Sequence, residues 1–322
     1  MGLPVTVYRW DDVGAPQLTS GKPSSIINIL KKCLVDGYGS KSALGWTMAF
    51  ADDATRSAVF RNSPTDGLGG FVQFKSYNGS DSNNNRMYVQ PALYMPTAIM
   101  ADAHGVGVLS AFLVGTHLDK WMIVGTSRGF YITFMSTQYK ILCDSTREYP
   151  TVFAGDIESI IPNDLGAFTA GQFMSYSDST ASSWNTSFGY MSDKQVSCRL
   201  FETDGSNNYM SMGGYSPFNN GIASACGDPQ GVPYTYNKIT LAVINYEQIS
   251  IINDSQGVNI RNSTLSPAVR GFIPAILQAS ISSDANSEWP VFKTINGVQH
   301  ILLHGSFSAA PNKYLNLVEW YD

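Results

Sequence analysis

Charge is what this chain has least of. Only 14% of its 322 residues are Asp, Glu, Lys or Arg, against roughly 25% in an ordinary soluble protein. With 43% hydrophobic and 12% aromatic residues, the shortage does not signal disorder. The surface is instead covered by Ser, Thr, Asn, Gln and Gly. Such a surface suits a protein that buries broad areas against partners, because desolvating an amide or hydroxyl costs less than desolvating a charge. A secreted β protein would share the composition.

Other absences narrow the function further. No run of Lys or Arg exists, the densest basic spot being Lys31-Lys32, and the net charge is −5; a phosphate-tracking nucleic-acid surface is not expected. Cys33, Cys143, Cys198 and Cys226 form no CxxC pair and have no His at ligand spacing, which argues against structural zinc. Cys33 and Cys198 read as buried free thiols. No apolar run approaches the roughly 18 residues of a membrane helix. Met1-Gly2-Leu3-Pro4 runs straight into a strand pattern with no leader-like segment, so synthesis in the cytoplasm without general export is expected. No internal repeat stands out.

What is present reads as strands and turns around one helix. Val5, Val7 and Trp10 open an extended segment closed by the turn Asp11–Pro16. Ile26, Ile27, Ile29, Leu30, Cys33 and Leu34 then form an apolar stripe at helical spacing. The helix is expected from Ser24 to about Asp36, N-capped by Ser24 or Ser25 and ended by Gly37, and packed on a sheet. Thereafter the pattern is β: Trp46–Phe50 and Ser57–Arg61 around Asp52–Thr55, Gly69–Lys75, Met87–Gln90, and the hairpin Trp121–Gly125/Gly129–Phe134 around Thr126-Ser127-Arg128. Later runs at 239–244, 248–252, 298–303 and a C-terminal strand over 314–320 continue it. The fold class expected is mainly β, with antiparallel sandwich or barrel-like sheets and one short N-terminal helix. Residues 1–150 read as a strand–helix–strand β domain and 151–322 as a second β-rich region, or the two as one continuous domain.

Candidate chemistry is thin. Asp102 and His104 precede Gly105 and Gly107, but no nucleophile is placed beside them, and His104, His117, His300 and His304 read as structural or surface residues. His300 and His304 would face one metal on a helix; in a strand, residues four apart lie roughly 13 Å from each other at about 3.3 Å per residue. Gly67–Gly70 and Gly105–Gly107 do not link a strand to a helix as a phosphate loop requires. The Asp81–Asn85 loop offers oxygens for calcium but lacks a closing acidic ligand, so an ordinary solvated loop is favoured. Asn78, Asn185, Asn253 and Asn262 begin glycosylation sequons read as chance matches. Glu158, Glu202, Glu247, Glu288 and Glu319 show no recognisable acid/base pairing. No catalytic, cofactor-binding or metal residue is assigned, and no cofactor is expected.

The opening block carries a resemblance. Val7-Tyr8-Arg9, Gly14-Ala15-Pro16, Leu34-Val35-Asp36-Gly37-Tyr38-Gly39-Ser40-Lys41 and Gly45-Trp46-Thr47-Met48-Ala49-Phe50 resemble a group of tailed-bacteriophage virion proteins. Ala58–Arg61, Trp121–Val124 and Phe153–Ile157 look like the same group; the likeness is clear to about residue 62 and patchy to about 170. The resemblance implies a non-enzymatic virion structural protein of the tail, baseplate or tail tip. It would assemble as symmetric copies and dock to other virion proteins, with no nucleic-acid partner and no membrane insertion. A capsid-surface or head-fibre protein is the alternative within that class. A carbohydrate-binding or glycan-degrading protein that faces a host-surface glycan is the alternative outside it.

Overall fold

The structure, a computed structural model, describes residues 2–82, 86–95, 110–113, 118–137, 150–172, 198–206, 209–215, 235–243, 269–279, 288–303 and 313–322. The strands β1 (Leu3–Pro4) and β2 (Thr6–Arg9) precede the helix α1 (Pro23–Lys31), which runs into a π-helical turn, Lys32–Asp36. There follow β3 (Thr47–Asp52), β4 (Ser57–Arg61), β5 (Phe71–Ser76), β6 (Arg86–Ala92), β7 (Ser110–Leu113), β8 (Lys120–Gly125) and β9 (Gly129–Met135). The chain continues with β10 (Thr151–Asp156), β11 (Glu158–Ser159), β12 (Phe168–Gln172), β13 (Cys198–Phe201), β14 (Tyr209–Tyr215), β15 (Tyr236–Val243) and β16 (Val269–Ala279). Last come β17 (Phe292–Ile295), β18 (Val298–Leu303), β19 (Lys313–Asn316) and β20 (Glu319–Trp320).

These strands pair antiparallel into a mainly β, sandwich-like stack, as the sequence pattern anticipates. One five-stranded sheet has the order β3-β4-β5-β6-β7 and a second the order β12-β10-β9-β8-β2. The third runs β13-β14-β15-β16-β19-β18-β17, with β11 also on β16, and β1 pairs with β20. The second sheet is the middle layer. Every residue of β9 and β10 is buried, as a strand covered on both faces requires. On one face, Phe130 meets Phe74 of the first sheet at 6.3 Å and Trp46 at 5.1 Å. On the other, the Tyr131 hydroxyl donates to the Pro274 carbonyl of β16 at 2.5 Å. Because β10 pairs with β9 through Thr151↔Thr133 and its neighbours, the middle sheet draws on both sides of residue 150.

The helix differs from expectation at its N-cap and in its last turn, while Gly37 ends it after Asp36 as expected. Lys22 is the N-cap and makes no side-chain cap. The Asp81 carboxylate caps from another loop, accepting from the Ser24 N–H at 2.8 Å and its hydroxyl at 2.6 Å. An acid at the positive helix end is favourable, and that carboxylate is thereby committed to the helix. Beyond Lys31 the α-helical ladder gives way to the π turn, closed by the Gly37 N–H on the Lys32 carbonyl at 2.7 Å. Ile26, Ile29, Leu30, Cys33 and Leu34 are all buried in the main core. The expected C-terminal strand is two strands in different sheets, β19 and β20, split where the Asn316 side chain accepts from the Val318 N–H at 2.7 Å.

Candidate functional site

The residues of the opening block converge on Asp12. This carboxylate accepts from the Arg9 N–H at 2.7 Å and the Tyr38 hydroxyl at 2.8 Å, and it pairs with the Lys41 ammonium at 2.7 Å. Lys41 also donates to the Val7 carbonyl at 2.5 Å, and the Tyr8 hydroxyl donates to the Ser42 carbonyl at 2.5 Å. Burial by itself would raise the Asp12 carboxyl; the hydrogen bonds from Lys41, Arg9 and Tyr38 outweigh it and hold the group below the usual carboxylate range. Burial pushes the Tyr8, Tyr38 and Cys33 groups up. A thiol so placed is inert. Gly39 sits at φ +56, and a β-carbon there would run into the Val13 carbonyl, so the turn demands glycine.

A second node is buried Asp156, at the end of β10. It accepts from the Asn62 amide at 3.0 Å, the Leu68 N–H at 3.2 Å and Arg128 Nε at 3.1 Å. Its backbone carbonyl takes the Tyr321 hydroxyl at 2.8 Å, and the Arg128 guanidinium lies 4.1 Å over the Tyr321 ring. Desolvation raises the Asp156 carboxyl despite Arg128 and Asn62. The node ties the β4–β5 loop, the β8–β9 turn and the C-terminal segment to the middle sheet.

A third node is wholly interior. Arg270 in β16, with no exposed surface, donates from Nε and Nη2 to the two Asp164 carboxylate oxygens, both at 2.6 Å. Nη2 also reaches the Phe201 carbonyl at 2.8 Å, and the Ser159 hydroxyl donates to Asp164 at 2.6 Å. Sequence inspection missed this pair. Its partners lie 106 positions apart, and nothing local marks either one.

In these nodes the Tyr38 and Ser159 hydroxyls donate to carboxylates that are themselves held by Lys41 and Arg270. No protein-family model matches the chain, and no curated protein matches it in sequence. The residues singled out from the sequence disperse. His300 is buried in β18, with Nδ1 2.9 Å from the Val298 carbonyl; burial lowers its pKa. Glu158 pairs with Lys238 at 2.5 Å, Glu202 is buried, Glu288 is exposed, and Glu319 faces Pro4 across β20 and β1. Cys198 lies in β13. Among the described residues no three of His, Cys, Asp and Glu group at metal-binding distance, and no helix is long and apolar enough to cross a membrane. Asp102, His104, His117, His304, Glu247, Cys143, Cys226, the Gly105–Gly107 sequence and residues 83–85 lie outside the described residues.

Proposed function

We propose that this chain is a non-enzymatic structural component of a tailed-phage particle, at the tail, baseplate or tail tip, present as symmetric copies docked to other virion proteins. One observation carries the reading. The residues on which the resemblance rests act as joints: Tyr38, Gly39 and Lys41 lock the helix exit onto β2 through Asp12, Trp46 donates to the Thr126 carbonyl at 3.1 Å, and Asp156 fastens the β8–β9 turn. A motif built from joints specifies an architecture and prescribes no reaction. The scarcity of charge complements it, since a neutral polar surface is inexpensive to bury between subunits.

A glycan-facing role has one observation of its own. Tyr77 is 53% exposed, its ring 5.3 Å from that of Tyr88. An exposed tyrosine ring tilted against a second one beside polar loops suits a sugar face. Two measurements divide the readings. The purified full chain is expected to run as a homo-oligomer in light scattering, and a reconstruction of intact particles should place it at a symmetric position. A monomer absent from particles that bound or cleaved polysaccharide would overturn the structural assignment.

A further inference from the structure

Lys313 opens β19 with its side chain buried, 5% exposed. Its cross-strand neighbours are Gln278 on β16 and Leu303 on β18, and Gln278 in turn faces Asn237 on β15. Two residues along, on the same face, the row is Ile276–Leu315–Ile301, all buried. A lysine and a glutamine thus stand at the end of an apolar face. Among the described residues no carboxylate acts on the Lys313 ammonium, which feels desolvation alone, and the Gln278 amide nitrogen is buried without a hydrogen-bond partner.

The pair is unbalanced chemically as well as electrostatically. An ammonium and a primary amide together present more N–H donors than acceptors. Turning the Gln278 carbonyl oxygen toward Lys313 would satisfy one donor and strand the rest. Buried donors without acceptors are costly, and a buried cation more so. Desolvation pushes the Lys313 amine down to about 8, which still leaves it largely cationic at neutral pH. An acceptor carrying negative charge answers both deficits at once.

We propose that Lys313 and Gln278 form an anion site that takes a single carboxylate, held by the ammonium and the amide N–H₂ against the floor of Ile276, Leu315 and Ile301. The carboxylate can come from a small free acid or from the tip of an acidic side chain on a neighbouring subunit; the shared chemistry is a planar, singly charged oxyanion. The site stands whether or not the chain belongs to a particle.

Sodium formate is the probe, titrated into the full chain at pH 7 with ionic strength held by sodium chloride. The Tm of the wild type is expected to rise saturably, and Lys313→Met to abolish the rise. Gln278→Glu supplies the missing acceptor from within; it is expected to raise Tm in formate-free buffer and to remove the formate response, and it carries the test if Lys313→Met fails to fold. Oligomeric state followed through the same titration separates the sources. Formate that loosens an oligomer competes with a subunit's own carboxylate, whereas an unchanged state points to a free acid. A wild-type titration flat in both Tm and oligomeric state, as expected if water alone fills the site, overturns the proposal. A formate response undiminished in Lys313→Met, or a Gln278→Glu protein less stable than wild type, does the same.

Discussion

Asp12 shows how much one carboxylate does when several donors meet it. It closes the turn after β2, orders Tyr38 and anchors Lys41. Asp12→Asn keeps an acceptor oxygen but removes the charge that answers the Lys41 ammonium and strengthens the other two bonds, so it is expected to cost about 1–3 kcal/mol, read from urea denaturation at pH 7. The pH dependence has a definite sign. A carboxyl held below its unfolded pKa stabilises the fold above that value and withdraws the contribution as acid protonates it. The gap between wild type and Asp12→Asn should therefore narrow as pH falls below about 4; a gap independent of pH would contradict the assignment. Gly39→Ala tests the same turn from the backbone side. It combines a left-handed φ with a collision against the Val13 carbonyl, and a loss of about 1–3 kcal/mol is expected in the same denaturation assay. The identities of these residues were readable in the sequence as a motif, but their convergence was not. Asp12 and Lys41 are brought together only when the helix folds back on β2.

At the scale of elements, local chemistry was legible where it was self-contained. The β8–β9 hairpin forms around the expected turn, Thr126 N–H bonding the Gly129 carbonyl at 2.8 Å, because alternation and turn residues sit side by side. The β17–β18 hairpin turns on Asn296 and Gly297, both at positive φ, and that Asn-Gly pair was a signal available in the sequence and passed over. The longest strand, β16, was missed. Gly271 and Pro274 lie inside it, and both weaken a strand pattern. Their reason is tertiary: β16 pairs with β11 at Gly271 and Phe272 and with β19 from Ile276 onward, with Ala275 at φ +61 between. A β-carbon on Gly271 would meet the Glu158 carbonyl. The Arg270–Asp164 pair secures this crossover. Asp164→Asn, which strips the full charge from the buried guanidinium's partner, should destabilise by about 3–5 kcal/mol. The double variant Arg270→Met/Asp164→Leu should recover much of that loss in thermal denaturation, since neither charge then remains buried.

For the whole molecule, three nodes bind layers that consecutive sequence does not connect, and burial sets how the assembly responds to alkali. Lys313 is held below its unfolded pKa, so between about pH 8 and pH 10 the unfolded chain binds the extra proton and stability rises with pH. Burial holds the Tyr8, Tyr38, Tyr131 and Tyr321 hydroxyls above theirs, and their contribution is lost once the unfolded tyrosines ionise, above about pH 10. The buried Cys33 thiol, also held above its ordinary value, opposes the Lys313 contribution from about pH 8.5 upward. The test is therefore differential: the stability gap between wild type and Lys313→Met should widen in favour of the wild type between about pH 8 and pH 10, and both should lose stability above about pH 10. The last consequence concerns β2, an edge strand of the middle sheet. Its Val7 carbonyl is taken by the Lys41 ammonium, its Arg9 N–H by Asp12, and the adjoining Val5 N–H by the Val318 carbonyl. A ladder that would otherwise template another chain is plugged by a charge and a carboxylate. Newly made chains can then meet through their side-chain surfaces without zipping backbone to backbone. Lys41→Thr, which unplugs that edge, is expected to move expressed protein from the soluble fraction into aggregates.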